Sequence, residues 1–380
     1  RGGAEPKTKQ FDAVFSAVTS PGEPGVAVLV RKNGRTVFER GYGLRDLRSH
    51  LAIGPRTDFR LASCTKQFTA MAILLLVHEG KLRLSDRLTD VFPDFPAYGK
   101  TITIRNLLNH TSGLAAYEDL LDREYAGKSW EEIPQIHDAG VLKRMEQRSK
   151  TKFPPGSTWE YSNSGYCVLA MVVEKISGLP FGEFLRRRIF APLGMRNTLA
   201  YVYGKNRVPN RAYGYTDDAG VWLETDQSPT SATLGDGGVY SNLEDLGKWD
   251  EALRDHTLLS AAEMKPAVTP VRLPLDAAHL PKGPDGQPVA YGFGWFLNPY
   301  RGHERMWHYG SSIGFHTAIE RFPKDDLTIV VLANRTDLDP AALALKVADL
   351  YFAAGRRQRG PAAGRQSGER GASVGNSGVE

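Results

Sequence analysis

The sequence predicts an α+β fold: an antiparallel sheet built from the two ends of the chain and flanked by helices, beside a helix-rich lobe made from the middle. Three observations carry this expectation. Strand-like segments cluster at 25–43 and return from Tyr291 onwards. Helical patterns dominate the residues between them. One helical stretch, FTAMAILLL at 68–76, is apolar on nearly every side and therefore has to be central and buried.

In chain order, residues 1–10 are polar and expected to fray. The run GVAVLVRKNGRTVFERGYG gives two strands joined at Asn33-Gly34, a two-residue hairpin signal. A helix is predicted over 63–79, stopped by Gly80. Short helices and loops follow to 150, and Pro154-Pro155-Gly156 breaks the pattern. Helices are predicted at 163–176, before Ser177-Gly178, and at 181–189. Short strands and Gly/Asn turns run to about Tyr240, and 243–253 reads as a surface helix. Strand signals then return at 291–297, 305–310, 315–322 and 327–334, the last apolar on both faces and so expected centrally in a covered sheet. An amphipathic helix over 339–352 closes the fold. The Gly/Arg/Ser-rich residues beyond are too poor in apolar side chains to offset their ordering entropy. The expected organisation is a flexible 1–10, one domain at 11–353 with its helical lobe at roughly 60–240, and a disordered tail at 354–380.

Composition narrows the function classes. The chain has 380 residues, 41% apolar and 24% charged, which is ordinary for a globular protein with a substantial core. Its net charge of +5 owes much to the tail, where Arg356, Arg357, Arg359, Arg365 and Arg370 face only Glu369 and Glu380. Without a basic stripe or a recognition motif, nucleic-acid binding is not expected. Two cysteines, Cys64 and Cys167, make neither a disulfide framework nor a metal-ligand spacing, and buried free thiols are expected. The strongest apolar run, 71–77, is too short to span a bilayer. A chain that starts at Arg1 fits both a removed export signal and a trimmed chain.

Three short stretches carry chemistry. In Ser63-Cys64-Thr65-Lys66 the outer residues lie three apart at a helix start, so Lys66 sits one turn beneath Ser63 and can take its proton if burial holds the amine neutral. By itself the pattern also fits a helix cap and a solvent lysine. Tyr161-Ser162-Asn163 follows the Pro-Pro-Gly break and precedes a helix, on what is expected to be an exposed loop tip. A phenol there can shuttle protons and an amide can hold a substrate carbonyl, although Asn163 could equally cap the helix. At the end of a strand, Trp307-His308-Tyr309-Gly310-Ser311 places a glycine where a substrate backbone can run alongside, and the next N–H can point at an oxyanion. His308 alone reads as a packed strand residue.

Order, spacing and context of these stretches together resemble the serine β-lactamase and penicillin-binding protein superfamily, in the branch with a Tyr-x-Asn second motif. That branch holds class C β-lactamases, D-alanyl-D-alanine carboxypeptidases, D-aminopeptidases and family VIII carboxylesterases. The resemblance runs from about Phe11 to Phe352 and includes PGVAVLV at 24–30, FRLASCTKQFTA at 59–70, LLNHTSGL at 107–114, PPGSTWEYSNSGY at 154–166 and HYGSSIGF at 308–315. It implies a β-lactamase/transpeptidase-like fold and a serine hydrolase. Ser63 would be acylated, Lys66 and Tyr161 would activate it and relay its proton, and Asn163 would hold the substrate's amide side. His308 and Gly310 would line the strand edge, and the N–H groups of Ser63 and Ser311 would form the oxyanion hole. Water would then release the acyl group. The resemblance implies no metal or cofactor, a small ester, amide or D-peptide as substrate, and a periplasmic or secreted location in a bacterial envelope, with a cytoplasmic one as the alternative.

Other residues read as structural. His110 is expected to tie a loop together, Cys64 to be an inert neighbour of Ser63, and Gly235-Asp236-Gly237-Gly238, which lacks the Lys-Ser/Thr of a phosphate loop, to form a tight turn near the cleft. The chain departs from efficient β-lactamases at its third motif, where His308-Tyr309-Gly310 replaces Lys-Thr-Gly. A histidine near pH 7 is a poorer anchor for a carboxylate than a lysine. Esterase or D-peptidase chemistry is therefore expected ahead of β-lactam hydrolysis. A non-catalytic sensor or scaffold is the remaining alternative, disfavoured because Ser63, Lys66 and Tyr161 are all present.

Overall fold

The structure is a computed structural model that describes residues 8–356 apart from residue 277. Its labelled helices are α1 (Thr8–Ser16), α2 (Lys66–His78), α3 (Asn163–Ser177), α4 (Leu243–Arg254) and α5 (Pro340–Arg356). Its main strands are β1 (Val26–Lys32), β2 (Arg35–Tyr42), β3 (Met306–Ser312), β4 (Phe315–Phe322) and β5 (Leu327–Ala333). These five strands form one sheet in the order β3-β4-β5-β1-β2. The turn between β1 and β2 has φ of 51° at Asn33 and 71° at Gly34, both left-handed, as a two-residue hairpin of this twist requires.

Side-chain alternation decides how the sheet is covered. Val26, Val28 and Val30, with Ile329 and Val331, pack against Phe11 and Phe15 of α1 and Leu343 and Val347 of α5. The intervening Ala27, Leu29, Val330 and Leu332 join the larger core around α2. Both central strands are thus buried on two faces, which explains why β5 is apolar at every position but Thr328. β1 and β5 pair antiparallel from Val26 with Ala333 to Lys32 with Leu327, so the two ends of the chain meet at the centre of the sheet.

Between them, α2 is buried along its length from Lys66 to Leu76 and packs against α3. Ser162 caps α3 by accepting the Gly165 N–H, and Gly178 ends it at φ 72°. Short strands at Phe59–Arg60, Leu199–Ala200 and Val239–Ser241 make a small sheet beside the start of α2.

Several expectations need correction. Helix α1 starts at Thr8, inside the segment expected to fray, because Phe11 and Phe15 anchor it on the sheet. Residues 1–7 and the predicted tail beyond Arg356 lie outside the described residues. The 291–297 segment is not a strand: it makes single bridges from Tyr291 to Phe296 and from Phe296 to Trp307. Gly294 bends it at φ 77°, where a Cβ would stand 2.7 Å from the Lys66 carbonyl oxygen, so the chain folds over the start of α2 instead of extending. Helix α4 is no mere surface helix, since Leu243, Leu246, Trp249 and Ala252 are buried. The helix predicted at 181–189 is an α turn, Phe181–Leu185, continued by a π turn at Arg186–Phe190. A helix at Tyr117–Glu124 was not anticipated. Among the described residues no helix is long and apolar enough to cross a membrane.

Candidate active site

Every residue of 57–76 is buried except Ser63. A 3₁₀ turn, Ala62–Thr65, carries it into α2. Ala62 just before it has φ 47°, a left-handed conformation that costs a non-glycine residue about 1–2 kcal/mol. Surrounding contacts hold the turn in place. Leu61 N–H donates to Val239 O at 2.8 Å, and the Thr317 hydroxyl donates to Leu61 O at 2.8 Å. Gly310 lies flat against the same turn, where a Cβ would collide with the Leu61 carbonyl oxygen and the Thr317 hydroxyl. Glycine is needed there by the Ser63 turn itself, a reason other than the substrate groove expected from the sequence. The adjacent Cys64 is fully buried, and burial pushes its thiol up to about 12, so no thiolate competes with Ser63.

Lys66 is completely buried, and its Nζ donates to Ser63 Oγ at 3.0 Å, Asn163 Oδ1 at 2.8 Å and Asp236 O at 2.8 Å. Burial lowers its pKa to about 8, against the opposing pull of the Asp236 carboxylate. Roughly a tenth of such amines are neutral at pH 7. The rings of Tyr161 and Tyr166 lie 4.9 and 5.5 Å from Nζ.

Tyr161 is not on an exposed tip. Its hydroxyl is buried, with the Ser63 hydroxyl beside it. Burial raises the phenol well above its usual range, and the neighbouring Ser63 hydroxyl is the chief influence opposing that. The ring rests 4.4 Å from His110, whose Nδ1 accepts the Ser162 N–H at 3.1 Å while its carbonyl accepts the Glu160 N–H at 3.0 Å. His110 therefore braces the whole Tyr-Ser-Asn segment, as expected of a loop tie. Because Ser162 takes the capping role, the Asn163 side chain is released to bridge Lys66 and Glu118, donating to Glu118 Oε1 at 2.7 Å.

His308 is fully buried. Its Nδ1–H donates to Tyr309 O at 2.7 Å, which leaves Nε2 to accept from the Tyr291 hydroxyl at 3.1 Å. Burial, then the Lys66 charge, drives its pKa down to about 3. The ring is neutral and turned inward, so it offers no cation on the strand edge. Ser311 is exposed at the end of β3. Trp307 exchanges backbone bonds of 2.9 and 2.8 Å with Phe296 on the outer side of this edge strand. Alternate residues of a ladder point the same way, so Tyr309 and Ser311 also turn their N–H groups outward.

Sequence reasoning missed Glu118, Asp138 and the carbonyl of Asp236. Asp138 takes the Leu234 and Gly235 N–H groups at 2.8 and 3.0 Å and thereby shapes the turn that presents Asp236 O to Lys66. Asp138, Cys167 and Asp236 bring potential ligand atoms within 4.8 Å of one another, a cluster that no local spacing announced. Both Asp138 oxygens are committed to backbone donors, and burial pushes its carboxyl up to about 7.

A five-stranded antiparallel sheet, helices on both faces and a serine–lysine pair at the head of a buried central helix define a β-lactamase/transpeptidase-like protein. The chain belongs to the Beta-lactamase family, whose profile matches residues 11–353. It is 31% identical over 346 residues to penicillin-binding protein 4* of Bacillus subtilis (strain 168), covering 87% of this chain and 72% of that protein. Among solved structures it is similar to a D-amino acid amidase from Ochrobactrum anthropi SV3, with 26% identity, a TM-score of 0.73, and coverage of 93% of this chain and 99% of that one. A penicillin binding protein from Bacillus halodurans matches with 26% identity and a TM-score of 0.72, over 90% of this chain and 98% of that one.

Proposed function

We propose that the chain is a serine acyl-hydrolase that forms an acyl-enzyme on Ser63 and cleaves esters or D-amino-acid amides. One observation carries this reading: in a buried run, the single partly exposed side chain is a serine held 3.0 Å from a lysine whose burial favours the neutral amine. Lys66 takes the Ser63 proton as Oγ attacks the substrate carbonyl. The N–H groups of Ser63 and Ser311 receive the oxyanion. The Tyr161 phenol, beside Ser63, passes a proton to the leaving group, and water then breaks the acyl bond.

The charges around the site favour one part of this substrate range. Glu118 is held beside Ser63 through Asn163 and Lys66, and it suits a substrate carrying a free ammonium. Neutral His308 gives no anchor to a substrate carboxylate, which argues against β-lactams and C-terminal D-alanyl peptides. The relatives named as penicillin-binding and amidase proteins are consistent with either chemistry. The test compares turnover of a p-nitrophenyl ester, a D-amino acid amide and its N-acetylated form by wild type and Ser63→Ala. The reading expects the variant to be inactive on all three and the free amine to be preferred. Undiminished turnover by Ser63→Ala would sink it.

A further inference from the structure

A cavity of about 510 Å³ is lined by Met71 of α2, by α4 and the residues that follow it, and by the strands β3 to β5. None of its lining residues belongs to the Ser63 site. Part of its wall is apolar, with Met71, Trp249, Leu259, Met264, Leu297 and Met306 presenting three flexible thioethers among them. A volume of this size suits a small organic ligand.

The lining also carries charge: Glu304 pairs with Lys324, Asp326 lies 3.8 Å from Arg254, and Arg321 is held within the wall. Arg321 is 8% exposed, and its Nε donates to Asp250 Oδ1 at 2.9 Å. The other Asp250 oxygen accepts from Arg31 Nε at 2.9 Å, and Arg31 is equally buried. A single carboxylate therefore serves two buried guanidiniums, and the next anion, Glu251, is an exposed side chain 3.7 Å from Arg31. Arg321 Nη1 reaches the Met306 sulfur at 3.9 Å, a weak acceptor for a charged donor. Arg305, also on the wall, pairs with Glu320 through two bonds of 2.6 and 2.7 Å, and its Nη1 lies 3.9 Å from Asp285. A buried cation of this kind is stabilised by an anion that can accept its spare N–H.

We propose that this cavity is a second binding site for a small amphipathic carboxylate, its apolar body on the methionine and leucine walls and its carboxylate on Arg321 Nη1. Trp249, one of six tryptophans in the chain, lines the cavity and also donates to Gln67 Oε1 at 2.9 Å, so its indole is placed to respond to occupancy.

The experiment titrates the full chain with octanoate, 1-octanol and octylamine, by calorimetry and by tryptophan fluorescence. Ser63→Ala serves as a second host, so that the catalytic cleft is not what is being read. Octanoate is expected to bind saturably with one site per chain in both hosts. It should bind about tenfold or more tighter than octanol, the worth of one charge-assisted hydrogen bond. Arg321→Met leaves Asp250 paired with Arg31 and should abolish the preference over octanol. Ala261→Trp, at the exposed rim, should weaken all binding while ester turnover stays intact. The proposal is overturned if octanoate shows no saturable binding, if octanol binds as tightly, or if Ala261→Trp binds octanoate unchanged.

Discussion

In the proposed mechanism, the cost of burying Lys66 becomes a catalytic property. Removing the ammonium from water lowers the pKa from 10.5 to about 8, because the charged form loses more solvation than its three hydrogen bonds restore. If Lys66 is the base, it acts only when neutral, so kcat/KM should rise with pH through an inflection near 8. Both site histidines are held neutral, His308 down to about 3 and His110 well below its usual value, each chiefly by burial. No histidine inflection is therefore expected between pH 5 and 8, and a rate profile over pH 5–9 checks both statements; a flat profile from 7 to 9 would refute the role given to Lys66. Tyr161 is tested by removing its hydroxyl alone. Tyr161→Phe keeps the packed ring and should fold like wild type, yet lose about 10²–10⁴-fold in kcat if the phenol carries the proton. A variant with undiminished kcat would contradict that role.

At the scale of elements, the site depends on how closely edge strand β3 approaches the Ala62–Thr65 turn. Gly310 permits that approach, and Thr317 from the neighbouring strand ties down the Leu61 carbonyl. Gly310→Ala would force the strand and turn apart, at a cost of about 1–3 kcal/mol for an overpacked contact. Because the displaced turn carries Ser63, activity should fall further than the lost stability explains. Thermal unfolding alongside ester turnover measures both, and an unperturbed variant would show that the contact does not position the serine. These elements also mark how far the sequence could be read. The Asn33-Gly34 hairpin, the all-apolar α2 and the Ser63–Lys66 spacing are local patterns, and each was legible. The 291–297 segment has the composition of a strand, but its two glycines are there to pass over the Ala267 and Lys66 carbonyls. That constraint comes from elements far away in the sequence.

Over the whole molecule, the two-ended sheet was readable because β5 is apolar on both faces and had to lie beside other strands. The candidate site was half readable. Ser63, Lys66, Tyr161 and Asn163 converge as their motifs suggested, whereas Glu118, Asp138 and the Asp236 carbonyl enter from three separate segments. Their identities carry no local pattern, and only packing of the helical lobe brings them to Lys66. The charge of His308 was likewise unreadable, since it depends on Tyr291 and on complete burial. The account as a whole rests on covalent chemistry at one atom. Its most direct test is rapid quenching of the protein with p-nitrophenyl acetate, followed by intact mass measurement and peptide mapping. An acetyl adduct on the peptide bearing Ser63, absent from Ser63→Ala, is the predicted result; an adduct confined to another residue, or turnover that survives in Ser63→Ala, would contradict it.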